Sequence, residues 1–300
     1  MRSTDPGADR SAGSVTLAYD LHQPAKPVAD KQTSPLIVMH GLFGSKKNNR
    51  TISKVLARDL GRHVYALDLR NHGESPHDER HDYPAMAADV ANFIRQHGLK
   101  EPTLIGHSMG AKTAMTLALQ EPDLVANLIA VDNAPVDARI SSDFARYIQG
   151  MKKIDEADVT RLAEADKILE PYEKPAPSLP LRRGGPTQDL TIRQFLLGNL
   201  HRPTPASKAQ KFRVPLHILA KALDHMGDFP FKDPNEARFA KPSLFIRGTQ
   251  SKYVPDELIP LIGQFFPLFE LVDVEAGHWV ISEKPEAFRQ AVLRFLEPKE

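Results

Sequence analysis

The residues with the clearest chemical potential are Gly106-His107-Ser108-Met109-Gly110, which follow a short apolar run and lead directly into a helix-forming segment. This is a nucleophile-elbow pattern, in which a serine lies on a tight strand-to-helix turn with a strained backbone. Glycine is needed on both flanks because no side chain fits there. The helix that follows directs its free N–H groups and its positive dipole end toward the space above Ser108. Negative charge develops in that space during acyl transfer, so the pattern predicts a serine nucleophile.

His278 is the predicted general base for that serine. A serine hydroxyl is a poor nucleophile at neutral pH and needs a neighbouring histidine, which a carboxylate in turn orients. In chains with this elbow the three groups come in the order serine, acid, histidine. His278 follows the last strand-like run in a Gly-His turn, which would bring its imidazole to the sheet edge that carries Ser108. The histidines inside the two glycine-flanked loops, His40 and His107, are expected to support loop geometry.

Asp132 is the predicted acid. The position after the strand-like run 244–246, where the acid usually stands, carries Ser251, and a serine cannot stabilise an imidazolium electrostatically. Asp132 ends the run that follows the elbow helix and reaches the same edge of the sheet. A turn-capping role for Asp132 before Pro135 is the alternative. Weaker candidates for the acid are Asp224, Asp228 and Asp256.

A second glycine-flanked loop, His40-Gly41-Leu42-Phe43-Gly44, follows the apolar run 36–39. A run that is apolar on both faces is typical of a central parallel strand, and the loop at its C-terminal end is where a second oxyanion donor stands beside a serine elbow. We therefore predict an oxyanion hole formed by the backbone N–H groups of Leu42 and Met109. Phe43 is the alternative to Leu42.

Other chemistries lack their residues in this chain. His72, His77 and His81 have the spacing of metal ligands, but they lie in a charged loop, and neither a metal site nor a cofactor is predicted. The chain has no cysteine, which excludes disulfides and thiolate metal sites. No Gly-x-Gly-x-x-Gly turn marks a dinucleotide site. Dehalogenase and epoxide hydrolase chemistry would need a carboxylate where Ser108 stands.

Strand-like and helix-like stretches alternate along the chain and indicate the fold class. Predicted strands lie at 15–21, 36–39, 64–69, 103–105, 128–131, 243–246 and 269–274, and predicted helices at 49–60, 83–97, 111–119, 258–265 and 285–296. This alternation predicts an α/β fold with a mostly parallel sheet and helices on both faces.

Residues 136–241 have a different pattern and predict an inserted cap. Charged helical segments lie at 142–154, 156–169, 192–200 and 216–226, with a Pro-rich stretch at 171–186 between them. We expect a disordered leader at 1–14, a core made of 15–135 and 242–300, and a helical cap at 136–241 that lies over the serine.

Residues beside the serine and on the cap are expected to bind substrate. They are Phe43, His107, Phe144, Tyr147, Phe195, Leu196, Leu219, Met226 and Trp279. For the cap residues, packing inside the cap is an equally good interpretation.

Charge and hydropathy exclude two classes of partner. The formal net charge is only +1, so there is no electrostatic case for a nucleic-acid or membrane-surface protein. No apolar run approaches the ~20 residues that cross a bilayer, so stable membrane insertion is not expected and the protein is expected to be soluble.

The chain resembles the α/β-hydrolase superfamily, and within it the abhydrolase-domain esterases that include a mitochondrial animal member, small bacterial acyl esterases and yeast ethanol acetyltransferases. The segments that carry the resemblance are His-Gly-Leu-Phe-Gly-Ser at 40–45, Asp-Leu-Arg-Asn-His-Gly-Glu-Ser-Pro at 68–76, Gly-His-Ser-Met-Gly at 106–110, Val-Asp-Asn-Ala-Pro-Val at 131–136, Arg-Gln-Phe-Leu-Leu-Gly-Asn-Leu at 193–200 and Gly-His-Trp-Val at 277–280. The resemblance implies an α/β-hydrolase fold over about 15–296. In that group a serine often occupies the usual acid position and the acid commonly follows the strand after the elbow helix, which supports Asp132. Asn133 departs from the usual pattern of the group and adds a polar group beside the acid.

These residues predict a serine hydrolase that cleaves carboxylic esters or thioesters, with short to medium acyl chains, through an acyl-serine intermediate. Transfer of the same acyl group to an alcohol would make the chain an alcohol acyltransferase of the ethyl acetate-forming type. A relative that keeps the pocket and has lost turnover is the third alternative. The expected partner is a small-molecule ester or thioester and no nucleic acid, and we expect a monomer or a weak homodimer. The resemblance implies the mitochondrial matrix, with the cytoplasm as the alternative.

Overall fold

The computed structural model of the protein describes residues 13–24, 34–138, 142–172 and 188–297. Its strands are β1 (Tyr19–His22), β2 (Leu36–Met39), β3 (Val64–Leu67), β4 (Thr103–His107), β5 (Asn127–Val131), β6 (Leu200–His201), β7 (Lys211–Phe212), β8 (Ser243–Gly248) and β9 (Phe269–Val274). Its α-helices are α1 (Arg50–Leu60), α2 (Tyr83–Gln96), α3 (Met109–Gln120), α4 (Ser142–Glu156), α5 (Leu162–Leu169), α6 (Gln188–Leu197), α7 (Leu216–Met226), α8 (Ile259–Phe265), α9 (Val280–Glu283) and α10 (Pro285–Leu296).

The main sheet has the strand order β1, β3, β2, β4, β5, β8, β9. β1 runs antiparallel to β3, and the other neighbouring strands of this sheet run parallel. β2 and β4 are buried along their whole length, as expected for apolar strands that are covered on both faces. This confirms the prediction of a mostly parallel α/β sheet. Because parallel strands end at the same edge, the loops after β2, β4, β5 and β9 meet there.

Two hydrophobic clusters, one on each face of the sheet, hold the helices against it. On one face Val38 of β2 packs in a cluster with Leu56 of α1 and Phe288 of α10. On the other face Leu104 of β4 belongs to a cluster that includes Ala114 of α3 and residues of α2. Small side chains on α3 allow its backbone to approach the sheet closely, which fixes the helix that begins at the predicted nucleophile.

β1 is shorter than predicted because side chains capture the chain before it. The strand begins at Tyr19 rather than at residue 15. The N–H of Val15 donates to Oδ1 of Asp89 (2.8 Å), and the N–H of Ala18 donates to Oγ of Ser75 (2.8 Å). These donors therefore pair with side chains and not with a neighbouring strand.

β3 also ends earlier than predicted, at Leu67 rather than at residue 69. The N–H of Asp68 still donates in register to the carbonyl of Ala18 (2.8 Å), but the Asp68 carbonyl accepts from Oγ of Ser75 (2.6 Å). The N–H of Leu69 leaves the ladder and donates to Nε2 of His40 (3.0 Å). The chain is thus turned toward the loop after β2, where the predicted oxyanion donor lies.

The segment between β5 and β8 contains α4 to α7 and a short antiparallel pair, β6 with β7. Four helix bounds differ from the prediction: α4 extends to residue 156, α5 begins only at residue 162, and α6 begins at residue 188 and ends at residue 197 because residues 200–201 pair with 211–212. The predicted bounds of α7, β9 and α10 agree with the structure. Residues 1–12 of the predicted leader and 173–186 of the Pro-rich stretch lie outside the described residues.

A search of the described residues for a helix with the length and apolar character of a membrane span found none.

Candidate active site

Ser108 is the single residue between β4 and α3, and its backbone is strained. It has φ 54° and ψ −114°, a conformation that residues with side chains rarely adopt. A Cβ at Gly106 would lie 2.1 Å from the carbonyl oxygen of Gly110, so the turn closes only with glycine there. The end of β5 holds the turn: the Ser108 N–H donates to the carbonyl of Val131 (3.0 Å), and Nδ2 of Asn133 donates to the Ser108 carbonyl (3.1 Å). Asn133 therefore stabilises the strained elbow.

Ser108, His278 and Asp132 form one hydrogen-bonded series. Nε2 of His278 lies 2.9 Å from Oγ of Ser108, and Nδ1 of His278 lies 2.6 Å from Oδ2 of Asp132. The three residues follow β4, β9 and β5 respectively, so the parallel sheet brings them to one edge. With the Nδ1–H donated to the carboxylate, Nε2 is free to accept the serine proton, which is the tautomer that a general base needs.

Asp132 is buried, at 1% exposure, and both of its carboxylate oxygens have partners. Oδ1 accepts from the N–H of Gly248 (3.0 Å), and Oδ2 accepts from Oγ of Ser251 as well as from His278. None of these partners lies in the turn at 132–135, which Asp132 would cap in the alternative interpretation. The weaker acid candidates are elsewhere: Asp224 and Asp228 are exposed at and just beyond the end of α7, and Asp256 pairs with Arg247.

Aromatic rings hold the His278 imidazole in place. Tyr253 stacks on it with ring centroids 4.1 Å apart and an angle of 22°. His107 lies nearby, with centroids 4.9 Å apart, and its Nε2–H donates to the His278 carbonyl (2.7 Å). Burial lowers the pKa of His107 to about 4, so at neutral pH it is an uncharged donor to the loop that carries His278.

The loop after β2 makes a tight turn that leaves the Leu42 N–H unengaged. The Gly44 N–H donates to the carbonyl of Gly41 (2.9 Å), and Phe43 has φ 62° inside that turn. The Phe43 N–H donates to Nε2 of His72 (3.1 Å), so Phe43 does not offer the alternative oxyanion donor. Within the described part of the chain, the N–H groups of Leu42 and Met109 donate to no protein acceptor. Both therefore remain available for an oxyanion.

Two neutral histidines fix that loop. His72 donates from Nδ1 to the carbonyl of Arg70 (2.9 Å) and accepts from Phe43 at Nε2. His40 donates from Nδ1 to the carbonyl of Gly41 (2.8 Å), and its Nε2 accepts the N–H at the end of β3. Burial lowers the pKa of His40 and holds the pKa of His72 well below its ordinary value, which keeps one nitrogen of each ring an acceptor.

The described residues contain no group of His, Cys, Asp and Glu side chains arranged to hold a metal ion. Both ring nitrogens of His72 are engaged with the backbone.

The loop after β3 rests on buried ion pairs. Arg70, fully buried, donates from Nε and Nη2 to the two oxygens of Asp89 (2.6 and 2.8 Å). Nζ of Lys46, at 4% exposure, donates to Oδ2 of Asp68 (2.6 Å). Breaking either pair would leave a buried charge uncompensated, so the loop that presents His72 is rigidly specified.

Asn199, just after α6, connects the inserted segment to the loop after β2 (residues 40–44), here called the oxyanion loop. Its Nδ2 donates to the carbonyl of Phe43 (2.8 Å) and to that of Leu196 (3.2 Å), and the residue is 8% exposed. The loop is thus held by β2, by the loop after β3 and by the inserted segment.

A cavity of about 820 Å³ opens beside His278. Of the predicted substrate-binding residues, His107, Phe195 and Trp279 line it. The Phe195 and Trp279 rings lie 4.6 Å apart. The remaining predicted residues belong to the hydrophobic core or pack against it, and among the described lining residues none of them appears: Phe43, Phe144, Tyr147, Leu196, Leu219 and Met226.

Sequence reasoning missed three residues that support the site. Ser251 was interpreted only as the absence of a carboxylate, although a hydroxyl near a displaced acid is a natural donor to it. Asn199 lies inside a segment that the resemblance singled out, and an asparagine among apolar residues is a signal of a specific hydrogen bond. Tyr253 carried no signal, because its contact with His278 depends on the path of two loops.

Known proteins that are similar to this chain share one fold. Residues 34–285 match the alpha/beta hydrolase fold family. The chain is 40% identical over 300 residues to a probable alcohol acetyltransferase of Saccharomyces cerevisiae, covering 95% of this chain and 84% of the relative. It is 38% identical over 285 residues to the sn-1-specific diacylglycerol lipase ABHD11 of Xenopus laevis, covering 94% and 84%. A solved structure described as a marine microorganism esterase matches with a TM-score of 0.80 and 31% identity, covering 94% of this chain and 100% of the other.

Proposed function

The chain belongs to the alpha/beta hydrolase fold family, and from this premise we propose that it is a serine hydrolase of carboxylic esters or thioesters. The observation that carries the proposal is the series from Oγ of Ser108 through His278 to Asp132, with separations of 2.9 and 2.6 Å. A relative named as a lipase and a solved structure named as an esterase support acyl-ester chemistry.

In the first half of the proposed reaction the serine is acylated. Ser108 Oγ attacks the carbonyl carbon while its proton passes to Nε2 of His278, and Asp132 stabilises the imidazolium that forms. The N–H groups of Leu42 and Met109 hold the oxyanion, aided by the positive end of α3. The intermediate collapses when His278 returns the proton to the leaving alcohol or thiol, which leaves an acyl-serine.

In the second half a hydroxyl compound removes the acyl group. His278 takes a proton from the acceptor, and the acceptor oxygen attacks the acyl carbonyl. The bond from the acyl carbon to Ser108 Oγ then breaks as His278 returns the proton to Oγ. Water gives the free acid. An alcohol gives a new ester, and the likeness to the probable alcohol acetyltransferase makes this the second candidate function.

Labelling with a fluorophosphonate probe tests the nucleophile. We expect one probe per chain, on the peptide that contains Ser108, and no labelling of Ser108→Ala. If the folded wild-type protein stays unlabelled, the result would favour the alternative that the chain is a non-catalytic, ligand-binding relative.

Product analysis separates the two acceptors. The protein is incubated with an acetyl ester in the presence and absence of ethanol, and acetate and ethyl acetate are measured. Acetate as the main product in ethanol supports the hydrolase, and ethyl acetate as the main product supports the acyltransferase.

A further inference from the structure

The cavity beside His278 extends well beyond the reacting groups. At one end it is lined by Gly41 and His278, both of which approach Ser108. From there it runs between the start of α1 and the segment α9–α10, along an apolar wall. The apolar side chains of that wall are Ile52, Val55, Ile192, Phe195, Trp279 and Ile281. Its volume of about 820 Å³ is that of a site for a drug-sized molecule.

The cavity lies on the imidazole side of the nucleophile. His278 and His107 line it, whereas Leu42 and Met109, which carry the proposed oxyanion donors, are not among its described lining residues. In the proposed reaction the leaving alcohol takes its proton from Nε2 of His278. Ser108 is not among the described lining residues either, so the cavity begins beyond the nucleophile, on the side where a leaving alcohol would be protonated.

The charges on the cavity wall are already paired. Arg289 is the one lysine or arginine among the described lining residues, and it donates to Asp59 (2.5 Å) and to Glu286 (2.7 Å). Glu283 accepts from the N–H groups of Gly277 (2.8 Å) and Trp279 (3.3 Å). An anionic substrate would find carboxylates and no unpaired cation there, so the wall favours an uncharged molecule.

The wall also carries polar side chains, and among those described Asn49 has a buried side-chain nitrogen without a partner. It is 5% exposed, it caps α1 without a side-chain hydrogen bond, and its Nδ2 has no partner among the described residues. The neighbouring Asn48 differs, because its Oδ1 accepts from the N–H of Ser45 (2.7 Å). A buried amide without a partner costs stability, so its presence in a substrate cavity points to a ligand that pairs with it.

We propose that this cavity binds the alcohol portion of an uncharged ester, and that the Asn49 amide hydrogen-bonds a second oxygen function, a hydroxyl or a further carbonyl, on that portion. This assignment rests on the proposed ester chemistry at Ser108. It makes Asn49 a specificity-determining residue that discriminates among leaving alcohols and takes no part in bond making.

Three butyrate esters of similar size test the assignment. They are propyl butyrate, 2,3-dihydroxypropyl butyrate and the anion 3-(butyryloxy)propanoate, and kcat/KM is measured for each with wild type and Asn49→Leu. Wild type should prefer the dihydroxypropyl ester, and Asn49→Leu should lower kcat/KM for it by about tenfold while propyl butyrate changes less than about twofold. The anionic ester should be the poorest substrate of both proteins.

Val55→Ala is the matched control on the same wall. It removes apolar contact only, so it should change both uncharged esters by a similar factor and leave their ratio as in wild type. Asn49→Leu should unfold at the same temperature as wild type or higher, because it removes an unpaired buried amide.

The outcomes separate the two proposals. If Asn49→Leu keeps the wild-type ratio of the two uncharged esters, the assignment of the cavity is wrong, and a lowered unfolding temperature in that case would show that Asn49 binds only a structural water. If wild type cleaves none of the esters and Ser108 is not labelled, the proposed function itself fails.

Discussion

Asp132 illustrates how a displaced acid is held in place. The backbone of Asp132 has φ 51°, just after the end of β5. Its carboxylate accepts hydrogen bonds there from Gly248, Ser251 and His278. Ser251 stands where a carboxylate is usually found and contributes a hydroxyl in its place. Asp132 and Ser251, which occupies the usual acid position, are therefore joined by a hydrogen bond.

We expect Asp132→Asn and Ser251→Ala to differ greatly in effect. An amide at 132 favours the wrong imidazole tautomer, so kcat should fall by about 10⁴-fold with the fold intact. Ser251→Ala removes one donor and leaves the charge, so kcat should fall by only about tenfold. Steady-state hydrolysis of a p-nitrophenyl ester, with circular dichroism as the check on folding, measures both. Equal losses would mean that the acid is not Asp132.

The residues of the proposed catalytic series could be predicted from the sequence, and the residues that hold them in place could not. Ser108 and Asp132 directly follow β4 and β5, and His278 lies four residues after the end of β9, so their meeting at one sheet edge follows from parallel strands. The choice between Leu42 and Phe43 needed the position of His72, which binds the Phe43 N–H across 29 positions of sequence. No local pattern encodes such a contact.

The same limit applies to the ends of strands. The apolar runs predicted β2 and β5 well because burial on both sides demands a continuous apolar sequence. The ends of β1 and β3 depended on side chains such as Asp89 and His40, which capture backbone donors from distant segments. The pattern of apolar residues does not show which backbone N–H groups will bond side chains instead of a neighbouring strand. The predicted β1 and β3 are therefore too long.

The inserted segment donates a hydrogen bond to the oxyanion loop from the Asn199 side chain, which we expect to matter for turnover. Asn199→Ala removes the donor to the Phe43 carbonyl, so the Leu42 N–H beside it is less well fixed. We expect kcat to fall by about tenfold with KM little changed, less than the loss of an oxyanion donor itself. Binding of a trifluoromethyl ketone, which forms an oxyanion on Ser108, should weaken by a similar factor.

Asn127→Ala is the matched control for that experiment. Its Nδ2 donates to Oγ1 of Thr103 (3.1 Å) at the opposite end of the strands, so it loses a comparable hydrogen bond far from Ser108. It should lower the unfolding temperature and leave kcat unchanged. A matching loss of kcat in both variants would show that Asn199 acts on stability alone.

Across the molecule, four histidines are folded into the core in the neutral form. Burial lowers the pKa values of His40, His72, His81 and His107, those of His81 and His107 to about 4, whereas an exposed imidazole titrates near 6.5. Two of the four accept a backbone N–H group at a ring nitrogen, which requires a neutral ring: His72 accepts from Phe43 and His40 accepts from Leu69. The burial that keeps these rings neutral therefore also makes the stability of the protein depend on pH.

Stability should consequently fall as the pH is lowered from about 6.5 to about 4. In that window the unfolded chain binds protons at His81 and His107 and the folded chain does not, so the free energy of unfolding decreases with falling pH. Each of these two rings contributes about 1.4 kcal/mol per pH unit, and His81 contributes about 3 kcal/mol over the window. Urea unfolding of wild type and His81→Asn at a series of pH values should show that the slope of the free energy of unfolding against pH is reduced by about one proton in the variant. A wild-type stability that is flat between pH 6.5 and 4 would mean that these rings do take up protons in the folded state.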